Sequence, residues 1–191
     1  MDFTTNRRIA VIVLLLVMVF STFFGVGRSL QKEASDIAGH FESGAYNEEG
    51  KYTEKSIQSH LNNRVNAANG LLTLSGQFSG VVPAAENLSE ARLALIGAGT
   101  PSEKYAANED MSVYSEQLCE VLENMVLSSD QQEMLDYYIS AMRGAQSAIE
   151  KLSYNKEVDE FYNRTLRSFP ASLFTSFMDI EGPEYFGEKS N

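Results

Sequence analysis

The eighteen residues Leu135–Leu152, LDYYISAMRGAQSAIEKL, decide the fold. Leu135, Tyr138, Met142, Ala145, Ile149 and Leu152 recur at alternating steps of three and four residues. That spacing puts all of them on one face of a helix, as a narrow coiled-coil-like seam. A half-buried strand would show apolar residues at every second position, and no alternating run of useful length occurs in the chain.

Towards the C-terminus the seam fails, because its next positions are Lys156 and Asp159. It resumes, rotated about the axis, as Val158, Phe161/Tyr162, Leu166 and Phe169. A shift of this kind inside one helix signals an inserted residue or local over-winding. The reading is a single helix from about Asp130 to Ser168, ~58 Å long at about 1.5 Å per residue. Phe169-Pro170 stops it, since the residue before proline is driven out of the α region. Phe161, Leu166 and Phe169 then lie on the buried seam, with Asn163 on the flank. Arg164 and Arg167 suit the negative end of the helix dipole.

Towards the N-terminus, Ser128-Ser129-Asp130 followed by Gln131, Gln132 and Glu133 supplies capping-box spacings for that helix. Before it, Met111, Tyr114, Leu118, Val121, Leu122 and Met125 form a second stripe, and Ile57, Leu61, Val65, Ala68 and Leu72 a third. Gly76, Gly80 and Pro83 end the helix that opens at Ile57, a shorter piece spans Glu86–Leu95, and Ile96–Ser102 (IGAGTPS) is a connection. Gly44–Gly50 (GAYNEEG) reads as a turn. The expected fold is all-α: an elongated antiparallel bundle of three long helices. A short fourth piece, from Glu86–Leu95 or the C-terminal tail, covers its open side.

Ile9–Phe24, IAVIVLLLVMVFSTFF, carries no charge, and Gly25–Gly27 extends the neutral run to 19 residues. As a helix this is roughly 28 Å long, about the thickness of a bilayer core. Gly25 and Gly27 have the spacing of a signal-peptide cleavage site, but the apolar core exceeds the usual length of about 7–15 residues. A retained single-pass anchor is expected, in contact with lipid through Ile9–Phe24. Arg7 and Arg8 against Arg28 and Lys32 place the N-terminus inside and the domain outside the cell. The linear organisation is then an anchor over 1–27, a juxtamembrane helix and turn over 28–52, a bundle over 53–186 and a tail over 187–191.

Net charge is −11, and residues 1–30 contribute +2 of it, so the rest of the chain carries −13. Such a surface repels nucleic acid, and no basic patch interleaved with aromatics offsets it. Cys119 is the only cysteine and falls in an apolar stripe, which predicts a buried, unreactive thiol and no intrachain disulfide. His40 and His60 lack companions at metal-ligand spacing, and neither has a glutamate three residues before it, as di-iron bundles need. Gly97–Lys104 lacks the end of a phosphate loop, and no serine sits in a Gly-x-Ser-x-Gly elbow. Tyr162, Asn163 and Arg167 offer no tuned base or nucleophile. No catalytic residue, cofactor or metal is expected.

One resemblance crosses these residues. Lys151-Leu-Ser-Tyr154-Asn155-x-x-Val158, then Phe161-Tyr162-Asn163, then Arg167-Ser-Phe169-Pro170, resembles the tail signature of the LemA family. The likeness continues through Leu173, Phe174 and Phe177 to Pro183-Glu-Tyr185-Phe186, and upstream through Ala91-Arg92 and, more loosely, Arg64–Leu72. The chain departs from the family in three places. Asn69-Gly70 replaces Pro-Asn, LSSDQQE (Leu127–Glu133) replaces a Tyr-Pro-x-Leu-Lys connection, and the Tyr-Asn pairs lie eight rather than seven residues apart. The resemblance implies a bacterial, membrane-anchored, antiparallel helical bundle without established enzymatic activity. Members often occur beside genes for other membrane or envelope proteins, including membrane metallopeptidases. It therefore implies an interaction module for an unidentified membrane or envelope protein. The candidate surface is Phe174, Phe177, Met178, Tyr185 and Phe186. The competing readings are that these aromatics only complete the core, and that the domain is an extracytoplasmic four-helix sensor signalling through a partner.

Overall fold

Local sequence starts the helices where the chain needs them. In the computed structural model, which describes residues 7–46, 52–175 and 180–187, the first helix, α1 (Arg7–Ser43), runs without a break through and beyond the apolar segment. A short antiparallel hairpin follows, β1 (Ala45–Tyr46) with β2 (Tyr52–Glu54). The remaining helices are α2 (Ile57–Ser75), α3 (Val82–Gly97), α4 (Pro101–Glu123), α5 (Ser129–Ile149), α6 (Tyr154–Glu160) and α7 (Ala171–Phe174). The fold class is all-α.

Capping explains the boundaries. Ser56 caps α2 by accepting from the Ser59 amide, and Thr100–Glu103 and Ser128–Gln131 form full capping boxes for α4 and α5. Pro83 and Pro101 lie in first turns, where a missing N–H costs nothing. Pro83 thus opens α3 instead of closing α2, and the piece expected over Glu86–Leu95 extends to Val82–Gly97.

The chain divides into two compact units. One comprises Ala38–Asn155 and Glu184–Asn191 and contains the bundle of α2 to α5. Within it α2 packs most extensively on α5, and α3 on α4, while α2 also meets α3 and α4. Side-chain pairs fix the directions. Glu54 meets Ser153, Arg64 meets Gln146 and Gln77 meets Gln131, so α2 and α5 run antiparallel. Lys104 meets Gln58 and Ser112 meets Arg64, so α4 runs parallel to α2. The core is built from Leu61, Ala68, Leu71 and Leu74 of α2 with Leu88, Met111, Leu118, Leu122 and Leu135, all essentially inaccessible. Gly70 leaves room for the Tyr138 ring of α5, which any Cβ there would overlap.

The other unit comprises Met1–Ile37 and Lys156–Pro183. Leu30, Ala34 and Ile37 form a buried stripe on α1, and Val158, Phe161 and Ala171 are also buried. Thr165 Oγ1 donates to Glu33 at 2.8 Å. From Val11 to Phe20, by contrast, every side chain of α1 is exposed.

The single helix expected from Asp130 to Ser168 is two helices. α5 ends at Ile149, and α6 begins at Tyr154. The seam failure marks a helix end, which Glu54 stabilises from the other side of the sequence. Its carboxylate accepts the Ser153 amide at 3.1–3.2 Å and the Ser153 hydroxyl at 2.5 Å. It thereby satisfies donors that a helix start leaves without partners. A second irregularity follows, a π-helical turn over Phe161–Thr165 closed by the Leu166 amide on Phe161 O at 3.0 Å. It accommodates one extra residue.

Candidate functional site

The residues singled out in the C-terminal third separate by role. Tyr154 is buried, and its hydroxyl donates to Glu184 O at 2.6 Å. Asn155 Nδ2 donates to Phe186 O at 2.8 Å, and Asn155 Oδ1 accepts the Phe186 amide at 3.0 Å. One side chain thus pairs with both backbone groups of Phe186, as a neighbouring strand would. The Phe186 ring docks with Phe41 at 5.8 Å and Tyr105 at 5.4 Å between centroids, and Phe41 also meets Tyr154 at 5.5 Å. Lys104 Nζ lies 5.1 Å from the centre of the Phe41 ring and 3.0 Å from Glu42 Oε1. Phe186 is therefore part of the core of this unit and is removed from the candidate surface. Tyr185 is half-buried. Phe177, Met178 and the side chain of Phe174 lie outside the described residues.

In the other unit, Val158 is buried, and Tyr162 stacks edge-on against Phe161 with its ring where a Gly182 side chain would sit. Asn163 is exposed, with a long 3.5 Å contact to Asp159, and Arg167 is exposed as well. Phe169 corrects the expected seam. It is 80% exposed, because the helix has already ended at Thr165 and the 166–170 turn carries it outward, ahead of Pro170 at the start of α7.

A second site was missed in the sequence. Arg64, only 2% exposed, sits in the middle of α2 on the buried stripe between Leu61 and Ala68. Its Nη1 donates to Gln146 Oε1 and its Nη2 to Ser112 Oγ at 2.7 Å. Asn108 Nδ2 donates to the same Gln146 oxygen at 3.1 Å, and Ser112 Oγ donates to Asn108 O at 3.0 Å. Arg64 Nε and Asn108 Oδ1 are buried without partners. Burial pushes the guanidinium down to about 10, against the opposing pull of Glu109, Glu150 and Glu116. It is still a cation at neutral pH, placed where charge is costly to bury.

This cluster ends in an open cleft of about 610 Å³ whose lining includes Arg64, Ser112, Glu116, Arg143, Gln146 and Glu150. The cleft exists because α4 and α5, although consecutive, meet each other only marginally. Cys119 also lines it, half-buried, its thiol pushed up to about 11 by burial and then by Glu123. The signal available in the sequence was phase. Arg64 follows Leu61 by three residues and precedes Ala68 by four, so a charge stands where the pattern requires an apolar side chain. Among the described residues, no group of three His, Cys, Asp or Glu is placed to hold a metal ion. A scan of the chain against protein-family models finds no match, and comparison with curated proteins finds none either.

Proposed function

We propose that the chain is a single-pass membrane protein of the LemA type, a diverged member. In this reading its helical domain lies outside the bacterial cytoplasmic membrane and serves as a non-enzymatic interaction module for another membrane or envelope protein. The observation that carries the reading is the first half of α1. It is the one helix among the described residues long and apolar enough to cross a membrane, with a mean hydropathy of 2.9 and none of that window buried within the chain. Exposed apolar surface on this scale requires a cover, and a bilayer matches its length. The LemA reading is supported by the order Tyr154-Asn155, Val158, Tyr162-Asn163, Phe169-Pro170 and Tyr185-Phe186.

Orientation and partnership are tested together in intact cells. In a Cys119→Ser background, a Ser102→Cys thiol at the exposed start of α4 should react with a membrane-impermeant maleimide before lysis. Reaction only after lysis would place the domain inside. Photo-crosslinkers at Leu173 and Tyr185 should capture a discrete membrane protein. Capture of lipid alone or of nothing would remove the interaction role from the tail. The four-helix sensor reading is favoured by one observation, the polar cleft at Arg64.

A further inference from the structure

Arg64 has more donors than the protein uses. A guanidinium carries five N–H groups. One goes to Gln146 and one to Ser112, Nε has no partner, and among the described residues no carboxylate oxygen lies within 4.0 Å of it. The nearby glutamates act only at longer range. Gln146 and Ser112 hold the group, and Asn108 in turn holds both of them, without neutralising it. A buried cation of this kind, lining a cleft of mixed polar and apolar walls, is suited to receive an anionic group.

The rest of the lining sets the other end of the ligand. Glu116, Glu120, Glu123 and Glu150 line the cleft, with Arg143 as the only other cation there. Four carboxylates against two arginines repel a dianion, and a simple cation would leave Arg64 without an anion. Only a molecule with both charges satisfies both ends. Glu116 is one turn beyond Ser112 on α4, about 6 Å along the axis at 1.5 Å per residue. An extended dipeptide spans about 7 Å between its charged ends. The volume of about 610 Å³ lies in the range of small-ligand sites.

We infer that the cleft between α4 and α5 binds a small zwitterion of amino-acid or dipeptide size, its carboxylate on Arg64 and its ammonium at Glu116 and Glu120. Gln146 and Ser112 are positioning residues that aim the guanidinium. Leu71, Ile139 and Met142 supply the apolar wall for a ligand side chain. The site stands independently of the membrane and family readings above.

The test is calorimetric titration of the full chain in detergent micelles with L-alanine, L-glutamine, L-alanyl-L-alanine and L-alanyl-L-glutamine. Each is compared with its methyl ester and its N-acetyl derivative, with sodium acetate as a simple anion. At least one zwitterion should bind with Kd below about 1 mM, and its ester and its N-acetyl form should each lose about tenfold or more. Glu116→Gln with Glu120→Gln should weaken binding about tenfold at unchanged Tm, since both side chains are exposed. Arg64→Met should abolish binding. If that variant does not fold, the ester comparison on the unaltered chain decides the same point. The inference is overturned if no zwitterion binds at about 10 mM, or if an ester binds as well as its acid. It is also overturned if acetate competes as effectively as the parent compound, or if the rim variants bind normally.

Discussion

Asn155 and Asn163 are both the asparagine of a Tyr-Asn pair, and the structure gives them different work. Asn155 holds the amide and carbonyl of Phe186, whereas Asn163 is exposed with one long contact. Asn155→Ala should therefore lower stability by about 1–3 kcal/mol, the cost of leaving backbone groups without partners. Asn163→Ala should stay within about 0.5 kcal/mol. Urea unfolding of the two variants side by side checks this, and equal losses would refute the division. Cys119 gives a chemical prediction. A thiol held at about 11 instead of 9.0 has a thiolate fraction at neutral pH lower by about a hundredfold. Iodoacetamide should therefore modify it about a hundredfold more slowly than free cysteine at pH 7.5, accelerating only as pH rises towards 11. The sequence read Cys119 as buried in an apolar helical stripe, whereas it is half-buried in a cleft it shares with Glu116, Glu120, Glu123 and Arg143. That place was not legible, because it depends on where α5 lies.

At the scale of elements, Gly70 and Tyr138 form one tight point of the contact between α2 and α5. Gly70→Ala gains about 1 kcal/mol of helix propensity but must displace a packed ring, at about 1–3 kcal/mol. The variant should be destabilised, and in a Tyr138→Ala background the same change should stabilise by about 1 kcal/mol. A double-mutant cycle by denaturant unfolding reads the reversal of sign. The helix starts at Ser128 and in the stripe opening at Ile57 were legible because caps and periodicity are local. The break between α5 and α6 was legible only as a phase error. Lys151 and Leu152 are ordinary helix residues, and the carboxylate that caps Ser153 belongs to Glu54, far away along the chain. The same limit applies to Phe169, which follows the phase of the seam but not the path of the backbone after the π-helical turn.

At the scale of the whole molecule, deleting residues 1–24 should release the chain from membranes without detergent. Tm should be unchanged, since no side chain from Ala10 to Thr22 is buried. Sedimentation after alkaline extraction and a thermal melt measure the two effects, and a deleted chain that still sediments or melts early would contradict them. The sequence by itself determined the helical class, the apolar first segment, the acidic surface and most helix starts. Each of these follows from composition, from spacing of three or four residues, or from a cap within one turn. Tertiary structure alone decided that Tyr154 and Asn155 clasp the tail, that Phe186 is core, and that Arg64 stands buried beside an open cleft. Those outcomes depend on which face of one helix meets another. Residues far apart in the chain then share hydrogen bonds and burial, which periodicity along a single helix does not encode.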